Sequence, residues 1–599
     1  MKFNFKSASA LFTAGVLFLS GCSLNQMVKL AEEQELTVVP NPLELHGDSV
    51  QFEVSAVLPV KMLKKNKLYT IKTYYTYGDP TQNLEKFEFT DVEFPNQKVE
   101  EPSKVQNFSM FFEDDMKDGD LMIKGVASNL DKTKFKETEP LKIADGVITT
   151  SRLVQYAYDV AYADHGYNNK EELIPTSVVF HFDKGSSRLK NSEIRGTNGQ
   201  ELDAFIAAKN VTRTVTIYGS HSPEGLESVN SRLAEDRANV IKNFYTRKMR
   251  QYDYKGMADS IKFETVAIFQ KWDKFLKELE TYEGLDANQK SEIKAIVNGP
   301  GEFTAKEKEL SKKPYYSKLM KDVYPKLRTS RTKILSVKQK KTDAEINVLT
   351  NSIVEGKAKA DTLSHEELMY AASLTPILDE KIKIYEEAVK AHDSWNAHNN
   401  LGAAYLEKAK KTSDKDAKKA MVEEAIVSLE LAANKKESAV VYNNLAACQM
   451  ILGNRAESGE YFTKASNVGG ATKEVKEGIN AGKGSLEVRN GNYGQAISML
   501  GGANENNADA FFNLGLAHLL QRDFASAEKA FEAALAVDEN YALAYYCGAV
   551  AAARQDNKED MGQKLSQAVS IDGSLRDRAI SDLEFKPYWE DAEFISALK

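Results

Sequence analysis

The residues with the most capacity for binding chemistry lie between positions 219 and 241. Arg237 stands in the run Asn230-Ser-Arg-Leu-Ala-Glu-Asp-Arg-Ala-Asn-Val-Ile241. With Leu233 at zero and about 100° per helical residue, Val229, Val240, Phe244 and Ile241 cluster at roughly −40°, −20°, +20° and +80°, and Arg237 falls near +40°. A guanidinium in an apolar stripe is costly unless it reaches an anion or a rim of carbonyls. The preceding turn, Gly219-Ser-His-Ser-Pro-Glu-Gly225, supplies Ser222 and Glu224, and Asn230 follows at the start of the helix. Arg237 therefore either meets an anionic ligand or is a snorkelling or structurally paired side chain.

Chemistry beyond binding finds no support. There is no Gly-x-Ser-x-Gly elbow, no His-Glu-x-x-His, no Gly-rich phosphate loop and no plausible Cys–His pair. The three cysteines, Cys22, Cys448 and Cys547, are too widely spaced for a disulfide framework or a zinc site. His181, His221, His392, His398 and His518 are scattered through different segments. The expectation is a non-enzymatic protein with no metal and no cofactor.

The elements that must position Arg237 are legible on either side of it. Ser177–Asp183 and Thr214–Gly219 read as strands, residues 200–209 as a helix, and Glu227–Arg247 as the helix that carries the arginine. Ile261–Val266 suits a third strand. Residues 174–342 therefore read as an α/β domain with a helical insertion at about 267–323.

The turn and helix resemble the OmpA-like peptidoglycan-binding domain. Gly219, Gly225, Asn230, Leu233, Arg237 and Ala238 match that family at the right spacing, with Ala234 where the family has Ser, and Tyr324–Val337 resembles the family's closing strand. The resemblance implies a βαβαβ-type sandwich in which the helix Arg takes the carboxylate of diaminopimelate in the peptide stem and a turn Asp takes its ammonium. Ser222 occupies that Asp position. The loss removes a charge-assisted bond, roughly twice as strong as a neutral one; Glu224, two residues on, offers a carboxylate in a shifted geometry. Two readings stay open: Arg237, Glu224, Ser222 and Asn230 form a variant clamp for the stem peptide, or the fold persists and the pocket has lost peptidoglycan. His221 offers a further donor or is a solvated turn position.

From Lys306 to Lys341 there are 13 Lys or Arg against Glu307, Glu309 and Asp322. That surplus suits anionic glycan stems or lipid headgroups, or is simply solvated helix surface.

Lys2 and Lys6, the largely apolar run Ala8–Phe18, and Leu19-Ser-Gly21 before Cys22 read as a signal peptide over 1–21, too short to span a bilayer. The Leu-Ser-Gly-Cys ending resembles the bacterial lipobox, which implies acylation of Cys22, the palmitate-bearing type of anchor. Ser23, where lipoproteins kept in the inner membrane typically carry Asp, implies outer-membrane delivery on the periplasmic side. Residues 22–35 are expected to be a lipidated tether.

Residues 36–150 alternate apolar and polar side chains, as in Val50, Phe52, Val54, Ala56 and Leu58, between turns such as His46-Gly-Asp48 and Asp118-Gly-Asp120. This pattern predicts a β-sandwich. Residues 365–599 are Ala-rich and periodic: Phe511, Leu514, Gly515 and His518 are followed by Ala527, Phe531 and Ala534, and Tyr545, Leu565 and Ala568 repeat them 34 residues on. These spacings resemble the tetratricopeptide repeat (TPR), implying an all-α solenoid of about five or six repeats closed by a capping helix near Phe585–Leu598. Asn399, Asn443, Asn444 and Asn513 fall on first helices, where such proteins often place ligand-contacting asparagines, so they are the expected partner-binding groove.

The length of 599 residues predicts three to five domains, and 42% hydrophobic with 28% charged residues is ordinary for folded protein. A net charge of −8 gives no reason to expect nucleic acid. The chain thus reads as a multidomain protein: an N-terminal β-sandwich, a central α/β OmpA-like domain and a C-terminal all-α TPR solenoid. The function expected is an envelope scaffold lipoprotein that docks on peptidoglycan and binds outer-membrane or periplasmic proteins through its repeats. The alternative is an accessory subunit of an outer-membrane secretion, motility or uptake machine whose OmpA-like domain no longer binds peptidoglycan.

Overall fold

The computed structural model describes residues 23–252, 260–269 and 271–599. Residues 1–21, where a signal peptide is expected, and Cys22 lie outside the described residues. The chain divides into two compact units: one joins the residues up to Gly166 with Ile346–Lys599, and the other is Tyr167–Glu345.

The first unit begins with helix α1 (Ser23–Leu30) rather than a free tether. Leu24, Met27 and Ala31 recur at helical spacing and are buried in the core of the strands that follow, which is why this segment folds. The strands are β1 (Glu35–Val39), β2 (Leu43–His46), β3 (Ser49–Val57), β4 (Lys67–Thr76), β5 (Thr81–Thr90), β6 (Ser103–Phe111), β7 (Asp120–Asn129), β8 (Phe135–Glu137), β9 (Leu141–Asp145) and β10 (Val147–Ile148). One sheet has the order β1-β3-β2-β10 with β6 also on β3, the other β5-β4-β7-β8 with β9 also on β7. Alternate residues of β3, β4, β6 and β7 point into one shared core that includes Phe52, Tyr69, Ile71, Phe108 and Ile123.

The second unit holds β11 (Leu173–His181), α2 (Asn191–Arg195), α3 (Thr197–Ala207), β12 (Thr212–Ser220), α4 (Glu227–Gln251), β13 (Lys262–Ile268) and β14 (Thr329–Val337). The sheet order is β11-β14-β12-β13, with β12 and β13 parallel and β14 antiparallel to both β11 and β12. Between β13 and β14 come α5 (Asp273–Thr281), α6 (Ala287–Asn298), α7 (Phe303–Leu310) and α8 (Tyr316–Lys318), which build their own small core around Phe275, Leu279, Ile293 and Tyr324. The buried face of α4 differs from the expected stripe. It is centred on Ala234, Ala238 and Ile241, while Val229 is 51% exposed and Leu233 half-buried. The reason is close approach: a Cβ on Gly219 of β12 would lie 1.8 Å from the Ala234 carbonyl oxygen, so small residues set the contact.

After α9 (Asp343–Val354), α10 (His365–Ala371) and α11 (Leu378–His392), the first unit continues as helix pairs: α12 (Trp395–Lys411) and α13 (Lys415–Lys435), α14 (Ala439–Leu452) and α15 (Arg455–Asn467), α16 (Lys473–Asn490) and α17 (Tyr493–Leu500), α18 (Ala508–Leu520) and α19 (Phe524–Val537), α20 (Ala542–Arg554) and α21 (Lys558–Ile571), then α22 (Ser574–Ala579) and α23 (Ala592–Ala597). On α18 Phe512 is fully buried while Phe511 is half-buried against the same core, and the Phe531 ring lies over Gly515. Cys448 and Cys547 are free thiols with no exposed surface, and burial pushes both well above the usual thiol range. No helix among the described residues is long and apolar enough to cross a membrane.

Candidate functional site

In the first unit the site is a ladder of amides along the repeat array. Helices α12, α14, α16 and α18 place Asn400, Asn399, Asn444, Asn443, Ser485 and Asn513 on one face, all buried. The residues they meet are the chain's own 155–163. Asn513 accepts from the Gln155 N–H at 2.8 Å and donates to its carbonyl at 2.6 Å. Asn444 does the same to Ala161, at 2.9 and 2.7 Å, and Asn400 to Ala163, at 2.7 and 3.0 Å. Between these, Ser485 accepts from the Ala157 N–H at 3.3 Å and Asn443 donates to the Asp159 carbonyl at 2.9 Å. Asn399 adds a donor to the Ala161 carbonyl at 3.3 Å.

The partners are every second residue: 155, 157, 159, 161 and 163. In an extended chain the N–H and C=O of one residue point to the same side, so a ladder of amides two residues apart reads backbone without reading side chains. The intervening side chains find pockets. The Tyr162 hydroxyl donates to Glu407 at 2.6 Å and its ring stacks near Tyr385, while Lys410 lies 4.9 Å from the Tyr158 ring centroid. Asn507 donates to Asp159 at 3.1 Å, and burial raises that carboxyl above its ordinary range.

The strands of this unit are held to the same array by charge. Glu44 pairs with Arg522 at 2.6 Å and lies 3.8 Å from Arg554, which itself pairs with Glu584 at 2.6 Å. Asp48 bridges Arg152 and Arg455 at 3.0 and 2.9 Å. Gly47, at φ +62°, fits where a Cβ would come within 2.7 Å of the Asn490 carbonyl oxygen.

In the second unit Arg237 is 1% exposed and its guanidinium is spent on main chain. Nε donates to the Ser186 carbonyl at 2.9 Å, Nη1 to Ser220 at 2.8 Å and Nη2 to Asp183 at 3.0 Å. Desolvation, with Arg328 nearby, pushes its pKa down to about 10. Glu224 and Ser222 do not face a ligand either. Arg328 donates to Ser222 Oγ at 2.9 Å and, through Nη2, to Glu224 at 2.6 Å, with both charged side chains 9% exposed. Asn230 donates to the Glu224 carbonyl at 3.1 Å and so fixes the turn. The His221 ring nitrogen Nδ1 sits 2.8 Å from the Ser222 carbonyl.

The structure therefore brings Arg237, Ser222, Glu224 and Asn230 into one neighbourhood, and separately aligns Asn399, Asn443, Asn444 and Asn513. Three participants were not read from sequence. Arg328 was one of several arginines in the closing strand with nothing to single it out, and Asn400 adjoins Asn399 one helical position on. The third is the 155–163 segment; its sign is the period-two alternation of Ala157, Ala161 and Ala163 with Tyr156, Tyr158 and Tyr162.

A family model of the tetratricopeptide repeat matches residues 508–541. Similar solved structures include YrrB, described as a TPR protein with an unusual peptide-binding site (20% identity, covering 32% of this chain and 92% of that one, TM-score 0.24). PilF of Pseudomonas aeruginosa matches at 18% identity over 34% of this chain and 96% of its own, TM-score 0.24. A chain of the APC/C hetero-tetramer Cut9–Hcn1 matches at 13% identity over 63% and 77%, TM-score 0.32. No curated protein matches the chain. The C-terminal region thus carries the tetratricopeptide repeat.

Proposed function

We propose that this chain is a non-enzymatic scaffold subunit of an outer-membrane machine, anchored by lipid on Cys22 on the periplasmic side, whose OmpA-like domain serves as a structural module rather than a peptidoglycan clamp. The observation that carries this reading is the closure of the clamp residues: Arg237 has its donors on three carbonyls, and Arg328 occupies Glu224 and Ser222. A zwitterionic ligand would have to displace bonds that are already charge-assisted and buried.

The repeats supply the partner surface. Their asparagine ladder is filled by residues 155–163, so partners of this scaffold meet the faces that the ladder leaves free. Because α1 starts at Ser23 and buries Leu24 and Met27, an acyl chain on Cys22 would hold the N-terminal strands at the membrane with no spacer.

Retention on purified peptidoglycan tests the reading. The wild type is expected to bind no better than Arg237→Ala; strong retention that Arg237→Ala abolishes while the variant stays folded would restore wall docking, which the matches at Gly219, Gly225, Asn230 and Arg237 favour. Metabolic palmitate labelling lost in Cys22→Ala checks the anchor. Detergent-solubilised native purification is expected to yield a stoichiometric membrane partner.

A further inference from the structure

The outward face of the second unit's sheet carries a pocket, rimmed at one end by Ser220, His221 and Pro223 of the turn, to which the Arg237 helix contributes no lining residue. On β12, Tyr218 and Ser220 lie on that face, and on β14 so do Thr329, Arg331 and Lys333, because Tyr218 pairs with Arg331 and Thr216 with Lys333 across the ladder. Helix α5 closes one side. The enclosed volume is about 610 Å³.

Its lining is strongly basic. Lys271, Lys274, Lys277, Arg331 and Lys333 converge there against a single lining carboxylate, Asp273. Among the described residues none of the five cations is in an ion pair, whereas lysines and arginines elsewhere in this unit pair repeatedly, as in Arg213 with Glu171 and Lys313 with Glu292. Glu278, the next acid along the same helix, acts on Lys274 through its charge and pairs at 3.5 Å with Lys326.

Lys274 is the centre of the arrangement. It is half-buried, and Nζ donates to Thr329 Oγ1 at 2.6 Å, with Ser220 Oγ 2.9 Å beyond. Desolvation, with Arg331 nearby, pulls its pKa down to about 8. Among the described residues, Arg331 donates through Nε to Ser177 Oγ at 3.0 Å and its two terminal nitrogens have no partner. The first turn of α5 adds backbone N–H groups: Trp272 at its N-cap provides no side-chain bond, so the positive end of the helix is uncapped beside the lysines.

We propose that this pocket binds a ligand bearing a phosphate group, held by Lys274, Arg331 and the first turn of α5. A surplus of four charges, five cations against Asp273, exceeds what one carboxylate neutralises and matches a multiply charged oxyanion. The volume leaves room for a headgroup or sugar attached to it, and Tyr218 and Phe269 line the remainder. A lipid headgroup and a free phosphorylated metabolite share this chemistry.

The test is calorimetric titration of the full chain with inorganic pyrophosphate, beside sedimentation with phosphatidylcholine vesicles with and without phosphatidic acid. Taking the difference between the two vesicle types cancels any contribution from an N-terminal anchor. Pyrophosphate is expected to bind at least about tenfold more tightly than succinate, and Lys274→Gln and Arg331→Gln each to weaken it about tenfold, the scale of one charge-assisted bond. The exposed Lys277→Gln keeps the test informative should Lys274→Gln fail to fold, and Lys312→Gln, outside the pocket, should leave binding unchanged. Pyrophosphate binding without a phosphatidic acid increment assigns a soluble ligand; an increment that pyrophosphate competes away assigns a lipid headgroup. No binding of either probe, equal affinity for succinate, or losses as large in Lys312→Gln would overturn the proposal.

Discussion

The repeat groove and the cradle of Arg237 both hold polar side chains with a capacity for ligands, and in both the chain's own backbone takes that capacity up. They differ in how the interaction is distributed. The groove spreads it over neutral amides that each meet one residue of an extended segment, so no rung is indispensable. The cradle concentrates it in one guanidinium shared among three carbonyls from one loop and a strand end. A distributed, neutral contact loosens by degrees, and a concentrated, charged one fails at once.

The cradle therefore gives the largest expected effect. Arg237→Ala leaves the Ser186 carbonyl without its donor, takes a charge-assisted donor from the carbonyls of Ser220 and Asp183, the latter keeping the Ser186 N–H at 3.2 Å, and opens a void beneath α4. The lost bonds to buried acceptors and the cavity together predict a loss of about 3–5 kcal/mol. Urea unfolding of the full chain, with hydrogen exchange followed at 212–220 and 227–251, checks it. A change below about 0.5 kcal/mol, the range of an ordinary surface substitution, would break the comparison, because Arg237 would then be free for a ligand.

In the groove, Asn444→Ala removes both bonds to Ala161 and is expected to cost about 1–3 kcal/mol, felt locally. Limited chymotrypsin digestion should cut faster at Tyr156 and Tyr158, and faster again when Asn400→Ala and Asn513→Ala are added. Protection unchanged in the triple variant would mean that the aromatic pockets, with Glu407 and Lys410, hold the segment and the ladder merely accompanies it.

Local periodicity made the repeats, the strand-rich N-terminal region and the buried position of Arg237 legible, because each follows from spacing within one element. What was not legible depends on contacts between distant residues. The asparagines could be picked out as ligand-contacting, but nothing at Asn444 or Asn513 says that the ligand is residues 155–163, more than 280 positions away. Ser222 and Glu224 looked like a ligand pair in isolation, and only the arrival of Arg328 from the far end of the insertion engages them. The stripe on α4 was misplaced for a related reason: its orientation is set by the clearance at Gly219, not by the largest apolar residues.

Glu307 sharpens the comparison from a third direction, since it is a buried charge-bearing group satisfied by neutral donors alone. It is 7% exposed on α7, and the hydroxyls of Tyr316 and Tyr324 donate to its carboxylate. Burial raises its pKa to about 7, against the opposing pull of those two hydroxyls and with a further push from Glu224. In the unfolded chain it titrates near the ordinary value of 4.5. Between those values the folded state holds a proton that the unfolded state has released, so this group's contribution is fully present below about pH 4.5 and is lost as pH rises through about 7. The difference corresponds to at most about 3 kcal/mol. Glu307→Gln, which stays neutral, is expected to flatten the fall in stability of the second unit over that window and to leave it about 1–2 kcal/mol more stable than the wild type at pH 8. Hydrogen exchange at Phe303–Leu310 and Tyr324–Leu327 as a function of pH measures this directly. An unchanged slope in the variant would mean that the two tyrosine hydroxyls stabilise the carboxylate as fully as carbonyls stabilise Arg237, and that neutral donors suffice for a buried charge in this unit.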